Sequence, residues 1–350
     1  MSTECMENEY YDGTKLLSLM DINGRKPEIY FCTTNRSAGK TTYFSRLCVN
    51  KFKSDKSKFM ILYRFDYEQS DCAEKFFKDI QGLFFPKDNM TSKPGAENKY
   101  VNLYLNDVHC GYVCALNNAD FYKKNSHYFS DVDRMFMDEF MSETNHYCND
   151  EITKYKSIHT SVARGQGKQV RYVPVYMCAN AVTLLNPYYE AMGISSRLST
   201  RTKFLKGDGF VVEQGYVESV WRKQMDSGFN RAFMDKSYVD YGREGVYLND
   251  SNAFIERPLG KSRYIATIKY ENCEYAIREF YEAGVVYCDK NVDRTFPLKI
   301  AVTTDDHNIN YVMLKGNNLL LDNMKYYFRQ GCFRFKDLSC KQAVLKTLSY

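Results

Sequence analysis

A glycine, a lysine and a threonine stand in succession near the start of the chain, shortly after an apolar run. Gly39, Lys40 and Thr41 have the order that ends a P-loop, in which backbone N–H groups surround phosphates, the lysine reaches the β- and γ-phosphates, and the hydroxyl binds Mg²⁺. The predicted nucleotide-binding residues are Asn35, Arg36, Ser37, Ala38, Gly39, Lys40, Thr41 and Thr42. This run predicts a site for ATP, with Mg²⁺ on Thr41.

The predicted loop departs from the strict pattern at its first position, where Thr34 stands in place of a glycine. It also contains Arg36, which would put a fixed cation beside the phosphates. A polar turn can contain Gly-Lys-Thr by chance. The apolar residues before the loop and the helix-like segment 41–52 after it favour phosphate binding, because a P-loop joins a strand to a helix.

Two adjacent acidic residues that could take part in chemistry follow the apolar run 132–137. In NTPases one carboxylate at this place holds the Mg²⁺ shell, and the next orients or deprotonates the attacking water. Asp138 and Glu139 fit those two roles. Alone, the pair could be a solvated strand end. The P-loop upstream, at a distance that suits one domain, favours a metal ligand at Asp138 and a catalytic residue at Glu139.

Two more polar residues end predicted strands. Ligands gather at the carboxyl ends of strands in α/β sheets, so Arg64, after the strand 58–63, would lie at the active edge. It could contact the nucleotide or DNA, or pair with Asp66 or Glu68. Asn180 could hydrogen-bond the γ-phosphate or the attacking water as a sensor, or simply form a turn.

A glycine-rich basic loop covers residues 163–171 and contains Arg164. An arginine supplied by a neighbouring subunit can stabilise the charge on a transferred phosphoryl group. A solvated basic loop is an equally good interpretation of this stretch.

Composition narrows the class of protein. A length of 350 residues suits two domains, and the net charge of +5 permits a nucleic-acid partner without requiring one. No stretch is long and apolar enough for a membrane span, and residues 1–4 lack the features of a signal peptide. The 12 cysteines include no Cys-x-x-Cys pair. We therefore expect an intracellular protein with reduced thiols and no membrane partner.

The fold class expected is α/β, with a P-loop ATPase domain over residues 1–201, a linker over 202–245 and a second domain over 246–350. In the second domain, strand-like runs between residues 253 and 302 precede a helical region at 317–330. A meander of strands followed by helices favours an α+β domain like ribonuclease H.

A working nuclease of that class needs several carboxylates that converge on two metals. The first predicted strand has Thr267 and Lys269 where an acid is expected, and Asp289, Asp305 and Asp306 are scattered near strand ends. The sequence therefore predicts that this domain does not cleave DNA and instead binds DNA or docks on a portal.

Several runs together resemble the DNA-encapsidation ATPases of small podophages that replicate by protein priming. The matching runs are 35–41, 136–140, 179–189, 302–306 and 331–335. The run from Ala179 to Tyr189 is the most specific, since the other nucleotide motifs fit many ATPases. The resemblance covers almost the whole chain.

The resemblance implies a RecA-like ATPase domain and a terminase-like second domain. It also implies a homopentameric ring on the portal, or connector, of an empty procapsid, which drives double-stranded DNA inward with ATP and Mg²⁺. A packaging RNA and the genome terminal protein are further partners that it leaves open. The expected location is the host cytoplasm during assembly, and not the mature virion.

Residue roles carry over from the family by position. The resemblance assigns phosphate binding to Lys40, Mg²⁺ binding to Thr41 and Asp138, and catalysis to Glu139. It places the family's trans-acting arginine at Arg164.

Four further positions bear on the resemblance. A lysine implicated in the family matches Lys123 or Lys124. Relatives carry glycine where this chain has Thr34 and Ser37, and an arginine where it has Arg36.

Two other interpretations of the residues remain. The chain could be another enzyme of the same NTPase class, either a terminase with an active nuclease or a ring helicase. It could also be a non-catalytic nucleic-acid-binding protein with a vestigial P-loop, which the presence of both Lys40 and Glu139 disfavours.

Overall fold

The computed structural model describes residues 10–142, 146–165, 167–183, 186–194, 197–198, 202–228, 232, 255–313 and 319–348. The chain divides into two compact units, Met1–Leu248 (unit 1) and Asn249–Tyr350 (unit 2).

Unit 1 is built on a sheet to which nine strands of the described residues contribute. These are β1 (Ile29–Thr34), β2 (Lys58–Tyr63), β3 (Met90–Pro94), β4 (Tyr100–Leu105), β5 (Val108–Ala115), β6 (Val132–Asp138), β7 (Val175–Asn180), β8 (Phe204–Gly207) and β9 (Phe210–Gln214). Their order is β3-β4-β5-β2-β6-β7-β1-β9-β8. The six strands from β5 to β9 in that order are parallel, so their carboxyl ends meet at one edge of the sheet.

Helices cover both faces of the parallel strands. They are α1 (Thr14–Ser18), α2 (Lys40–Asp55), α3 (Gln69–Phe84), α4 (Ala119–Lys124), α5 (Glu151–Ala163), α6 (Pro187–Ala191) and α7 (Glu218–Met225). Phe44 and Phe76 pack from α2 and α3 on one face, and Tyr155 and Tyr188 are buried on the other. Burial on both faces explains the continuous apolar runs of β2 and β6. None of the helices in the described ranges has the length and apolar character that a membrane crossing requires.

The linker expected over residues 202–245 is wrong for residues 204–214. β8 and β9 pair antiparallel around Asp208 and Gly209, and β9 continues the main sheet beside β1. Asp-Gly between two strands is a strong signal for a two-residue hairpin turn, and Gly209 has the positive φ of 74° that such a turn requires. Residues 233–245 lie outside the described part of the chain.

Unit 2 has its own mixed sheet. Its strands are β10 (Arg263–Tyr270), β11 (Cys273–Phe280), β12 (Val285–Asp289), β13 (Lys299–Ala301) and β14 (Phe333–Phe335), and its helices are α8 (Leu319–Arg329) and α9 (Leu338–Leu348). The order is β13-β10-β11-β12-β14. β10, β11 and β12 form an antiparallel meander, with β13 parallel to β10 and β14 parallel to β12.

Met324 of α8 and Val344 of α9 belong to the buried core of unit 2 together with Ile268, Ile277 and Val286 of the meander. A meander followed by packed helices is the arrangement predicted from the sequence. The predicted α/β fold class is confirmed.

Candidate nucleotide-binding site

The loop between β1 and α2 has the backbone shape of an anion-binding turn. Gly39 caps α2 in the left-handed region at φ 89°, and Ser37 is also left-handed at φ 62°. α2 is 16 residues long, so its first N–H groups and the positive end of its dipole point into this loop. A Cβ at Gly39 would lie 3.3 Å from the ring of Tyr10.

Thr34 and Ser37, at which the resemblance leads us to expect glycine, differ in what their backbone positions require. Thr34 is the extended last residue of β1, and its hydroxyl donates to the carbonyl oxygen of Asn35 at 2.8 Å. Its backbone therefore needs no glycine. Ser37 occupies a conformation in which a Cβ is strained, so glycine would be the favoured residue there.

Part of the predicted loop is anchored to neighbouring segments. The buried Asn35 side chain exchanges two hydrogen bonds with the backbone of Val217, at 3.1 and 3.0 Å. The carbonyl oxygen of the buried Ala38 accepts from the backbone of Tyr11 at 2.7 Å. These two loop residues fix the loop, whereas Arg36 is exposed at its surface.

Groups from three adjacent strands meet beside this loop. The Lys40 ammonium donates to the Asn180 side-chain oxygen at 2.6 Å, and the Thr41 hydroxyl donates to a carboxylate oxygen of Asp138 at 3.1 Å. Asp138 is the last residue of β6, and Asn180 is the last residue of β7. β7 lies between β6 and β1 in the sheet, so the carboxyl ends of these three parallel strands lie side by side. The structure thus assembles four of the residues that the sequence singled out.

The electrostatics of Asp138 suit a cation. Burial raises the pKa of the Asp138 carboxyl to about 6, and the charge of Glu139 adds to the rise, while the charge of Lys40 and the hydrogen bond from Thr41 oppose it. A hydroxyl and a carboxylate in contact are hard oxygen ligands of the kind that Mg²⁺ takes alongside substrate phosphates. The residues present therefore fit the predicted Mg²⁺.

Glu139 directly follows in the left-handed region at φ 56°, and its backbone N–H donates to Asp138 at 3.1 Å. Its side chain is exposed at the wall of a polar cavity of about 440 Å³. The cavity is lined by Arg36, Ser37, Lys40, Thr41, Arg64, Phe65, Tyr67, Glu68, Glu139, Ser142, His146 and Asn180.

A second cavity, of about 630 Å³, lies against the same loop and includes Thr42 in its wall. Its surface is mostly aromatic and apolar, with Tyr10, Tyr43 and Phe84, and the Arg46 guanidinium lies 4.7 Å from the Phe84 ring centre. Lys40 borders both cavities. A polar cavity suits the triphosphate of a nucleotide, and an apolar cavity suits its base. Here the two cavities share one loop of the P-loop type.

Arg64 does not pair with Asp66 or Glu68, the two nearby acids that the sequence suggested as partners. Its side chain bonds Glu151, at the start of α5, at 3.1 Å. The Glu68 side chain instead accepts from the backbone of Phe65. Sequence reasoning missed Glu151, which lies 87 residues from Arg64 and carries no local signal.

Arg164 is exposed and lies far from the loop of its own chain. α5 runs back from the carboxyl edge and ends at Ala163, and the next residues meet the start of β6, where the Arg171 side chain donates to the carbonyl oxygens of Val132 and Val162. Seven residues of β6, about 20 Å, separate that edge from Asp138. The structure does not bring Arg164 to the nucleotide site of the same chain.

Comparison with protein families places this chain. A model of the podovirus DNA encapsidation protein (Gp16) family matches residues 6–348. The chain belongs to that family. The resemblance drawn from the sequence motifs is therefore confirmed.

Members of the family with known roles are distant but full-length matches. The DNA packaging proteins of Bacillus phages PZA and phi29 are each 22% identical over 345 residues, which covers 97% of this chain and 96% of the relative. A chain of the bacteriophage phi-29 viral genome packaging motor assembly matches with a TM-score of 0.58, at 20% identity and 97% coverage of both chains. A chain of the phi-28 gp11 DNA packaging motor matches with a TM-score of 0.57, at 16% identity, covering 98% of this chain and 97% of the other. These two structures share the fold of this encapsidation protein.

Proposed function

We propose that this protein is an ATP-driven motor that moves double-stranded viral DNA into an empty procapsid. The observation that carries the proposal is the convergence of Lys40, Thr41, Asp138 and Asn180 beside a helix-capping loop. Membership of the encapsidation family supplies the biological context, because the DNA packaging proteins of phages PZA and phi29 match over nearly their whole length.

ATP would bind with its triphosphate in the polar cavity and its base in the apolar one. Lys40 and the loop N–H groups hold the phosphates, and Thr41 with Asp138 holds Mg²⁺, which neutralises phosphate charge when bound. Glu139 orients and deprotonates the attacking water from the cavity wall. Asn180 contacts the γ-phosphate and reports its loss, since it already bonds Lys40.

Arg164 acts in trans on the nucleotide of a neighbouring subunit. Arg164 lies at the edge of the sheet where β6 begins, about 20 Å from the edge where β6 ends and the nucleotide would bind. This distance supports a role on a neighbouring subunit and not on its own. A homo-oligomeric ring, with five subunits as the family resemblance implies, would present each Arg164 to the next nucleotide site.

The motor grips DNA through its backbone, because a packaging motor must accept every sequence. Lys and Arg contacts to phosphates would give an affinity that falls steeply with salt. Unit 2 binds DNA or docks on the procapsid portal without cleavage. The motor works in the host cytoplasm during assembly.

The first experiment measures phosphate release by the full chain with and without double-stranded DNA. We expect ATP hydrolysis that requires Lys40 and Mg²⁺ and changes with DNA. No hydrolysis under any condition would contradict the proposal and leave a nucleic-acid-binding protein with a vestigial P-loop.

A mixing experiment tests the trans role of the arginine. Arg164→Ala and Glu139→Gln chains, each inactive alone, should recover part of the ATPase activity together, because a mixed interface can combine one intact Arg164 with one intact Glu139. A trans arginine contributes about 10³- to 10⁵-fold to turnover where NTPases use one. Lys168→Ala, an exposed cation on the same loop, is the matched control and should stay active alone. Absence of recovery at every ratio would indicate a role in cis.

A further inference from the structure

A buried arginine lies directly beneath the turn that carries Glu139. The Arg64 guanidinium donates to the carbonyl oxygen of Glu139 at 2.5 Å, to that of Phe140 at 2.6 Å and to the Glu151 carboxylate at 3.1 Å. Its plane also lies 4.8 Å from the ring centre of Tyr147. Each nitrogen of this side chain already donates to an acceptor within unit 1.

The turn that Arg64 holds has a backbone conformation that needs support. Glu139 is left-handed at φ 56°, which is unfavourable for any residue with a Cβ. Such a conformation persists only where the surroundings fix it. The two carbonyl contacts from Arg64 and the bond from the Phe140 N–H to the Cys178 carbonyl oxygen, at 3.1 Å, supply that support.

The contacts continue from Arg64 into the most family-specific run of the sequence. The second carboxylate oxygen of Glu151 accepts from the Tyr188 hydroxyl at 2.7 Å. Tyr188 belongs to the run Asn186-Pro187-Tyr188-Tyr189, whose Asn186 side chain accepts from the Tyr189 N–H at 3.0 Å and so caps α6. The Asn-Pro-Tyr-Tyr run thus holds Tyr188 buried against Glu151.

We infer that Arg64, Glu151 and Tyr188 are positioning residues that fix the direction of the Glu139 carboxylate toward the attacking water. The inference rests on the proposed ATPase function. A general base must lie within hydrogen-bond reach of the proton that it takes, and a displacement of about 1 Å can cost about 100-fold in rate. The three side chains act through the backbone of Glu139. Arg64 also borders the polar cavity, but its three nitrogens donate to Glu151, Glu139 and Phe140.

The test measures kcat and KM for ATP in the full chain. Arg64→Lys keeps the charge but cannot make three directed contacts, so we expect kcat to fall by about tenfold or more while KM stays within about threefold. Tyr188→Phe removes the bonds of this hydroxyl to the Glu151 carboxylate and to the Met137 sulfur, and should lower kcat by a smaller factor. Tyr155→Phe is the matched control, because the buried Tyr155 hydroxyl contacts Met177 and not Glu151. It should leave kcat unchanged.

A second readout separates positioning from simple destabilisation. Introduced into a Glu139→Gln chain, Arg64→Lys should cause no further loss of the residual turnover, although it lowers the melting temperature equally in both backgrounds. An equal loss of turnover in both backgrounds would overturn the inference. So would a raised KM with unchanged kcat, which would make Arg64 a nucleotide ligand, or equal effects of Tyr188→Phe and Tyr155→Phe. A wild-type chain without ATPase activity would instead overturn the proposed function, and this inference with it.

Discussion

In unit 1 the acid that follows β6 lines a cavity, whereas in unit 2 the buried acids near strand ends accept hydrogen bonds from turns. Asp138 contacts Thr41 and Glu139 is exposed beside it. Asp306 is buried and accepts hydrogen bonds from the backbone N–H groups of Glu271 and Asn272 at 3.0 and 2.9 Å.

The two other acids that the sequence singled out in unit 2 differ from each other. Asp289 is buried and accepts from the N–H of Asn291 at 2.8 Å, and Asp305 is exposed. Over the described residues, no three His, Cys, Asp or Glu side chains come close enough to hold a metal. A carboxylate does chemistry only where its oxygens stay available to a metal or water, and this difference separates the two sheets.

The largest expected effect is at Glu139. Glu139→Gln keeps the shape but removes the base, so turnover should fall by about 10²- to 10⁴-fold while nucleotide binding is retained. Phosphate release and binding of a fluorescent nucleotide measure the two quantities. Asp305→Asn, an exposed acid of unit 2, is the control and should leave both unchanged. If Glu139→Gln kept most of its turnover, Glu139 would not be the base.

Asp306→Ala should destabilise unit 2 and leave nucleotide binding by the folded chain intact. It would remove the acceptor of the Glu271 and Asn272 N–H groups and of the Thr303 hydroxyl, at a cost of about 0.5–1.5 kcal/mol for each part-buried hydrogen bond lost. Chemical denaturation of the full chain measures the loss. A change below about 0.5 kcal/mol would show that these bonds contribute little.

The same residue gives a pH dependence with a defined sign. Burial raises the pKa of Asp306, but hydrogen bonds from Thr303, Asn272 and Glu271 and the charge of Lys269 outweigh it, so the net pKa is lowered. Its stabilising contribution is therefore present above the unfolded value of about 3.9 and is lost as the pH falls through the lower folded value. In Asp306→Asn this part of the acid destabilisation should disappear. An identical acid profile for the two proteins would contradict the assignment.

A smaller effect is expected at Ser37, the strained residue of the nucleotide loop. Ser37→Gly should stabilise unit 1 by about 1 kcal/mol, because glycine adopts φ 62° without the steric cost of a Cβ. Lys56→Gly is a matched control, since Lys56 also has φ 62° but ends α2 away from the loop. Both should raise the melting temperature, and only Ser37→Gly should alter ATP affinity. A lower melting temperature for Ser37→Gly would mean that the side chain stabilises the loop.

The last prediction is that a cleavage assay detects no nuclease activity. Plasmid DNA incubated with the full chain and Mn²⁺ should stay intact, because Asp289 and Asp306 are bonded to turns and no three acids converge in the described part of unit 2. Cleavage that Asp305→Ala abolished would end the contrast between the two units and restore an active nuclease as the better hypothesis.

Much of the nucleotide site could be predicted because its signals are local. The loop from Asn35 to Thr42 needs only a strand before it and a helix after it, and Asp138-Glu139 needs only an apolar run. Asp208-Gly209 is also a local signal, for a hairpin, so the linker predicted over these residues is wrong although the sequence contains the information. The role of Asn35 as an anchor could not be predicted, because its partner Val217 lies 182 residues away.

The sequence by itself determined which chemical groups are available and the two short motifs that present them. Only the tertiary structure decided that Lys40 meets Asn180 across 140 residues, that Arg64 bonds both the Glu139 backbone and the Glu151 carboxylate, and that Arg164 lies at the opposite edge. The physical reason is that parallel strands are joined by long crossovers. Their carboxyl ends therefore meet at one edge, at sequence separations that no local pattern encodes.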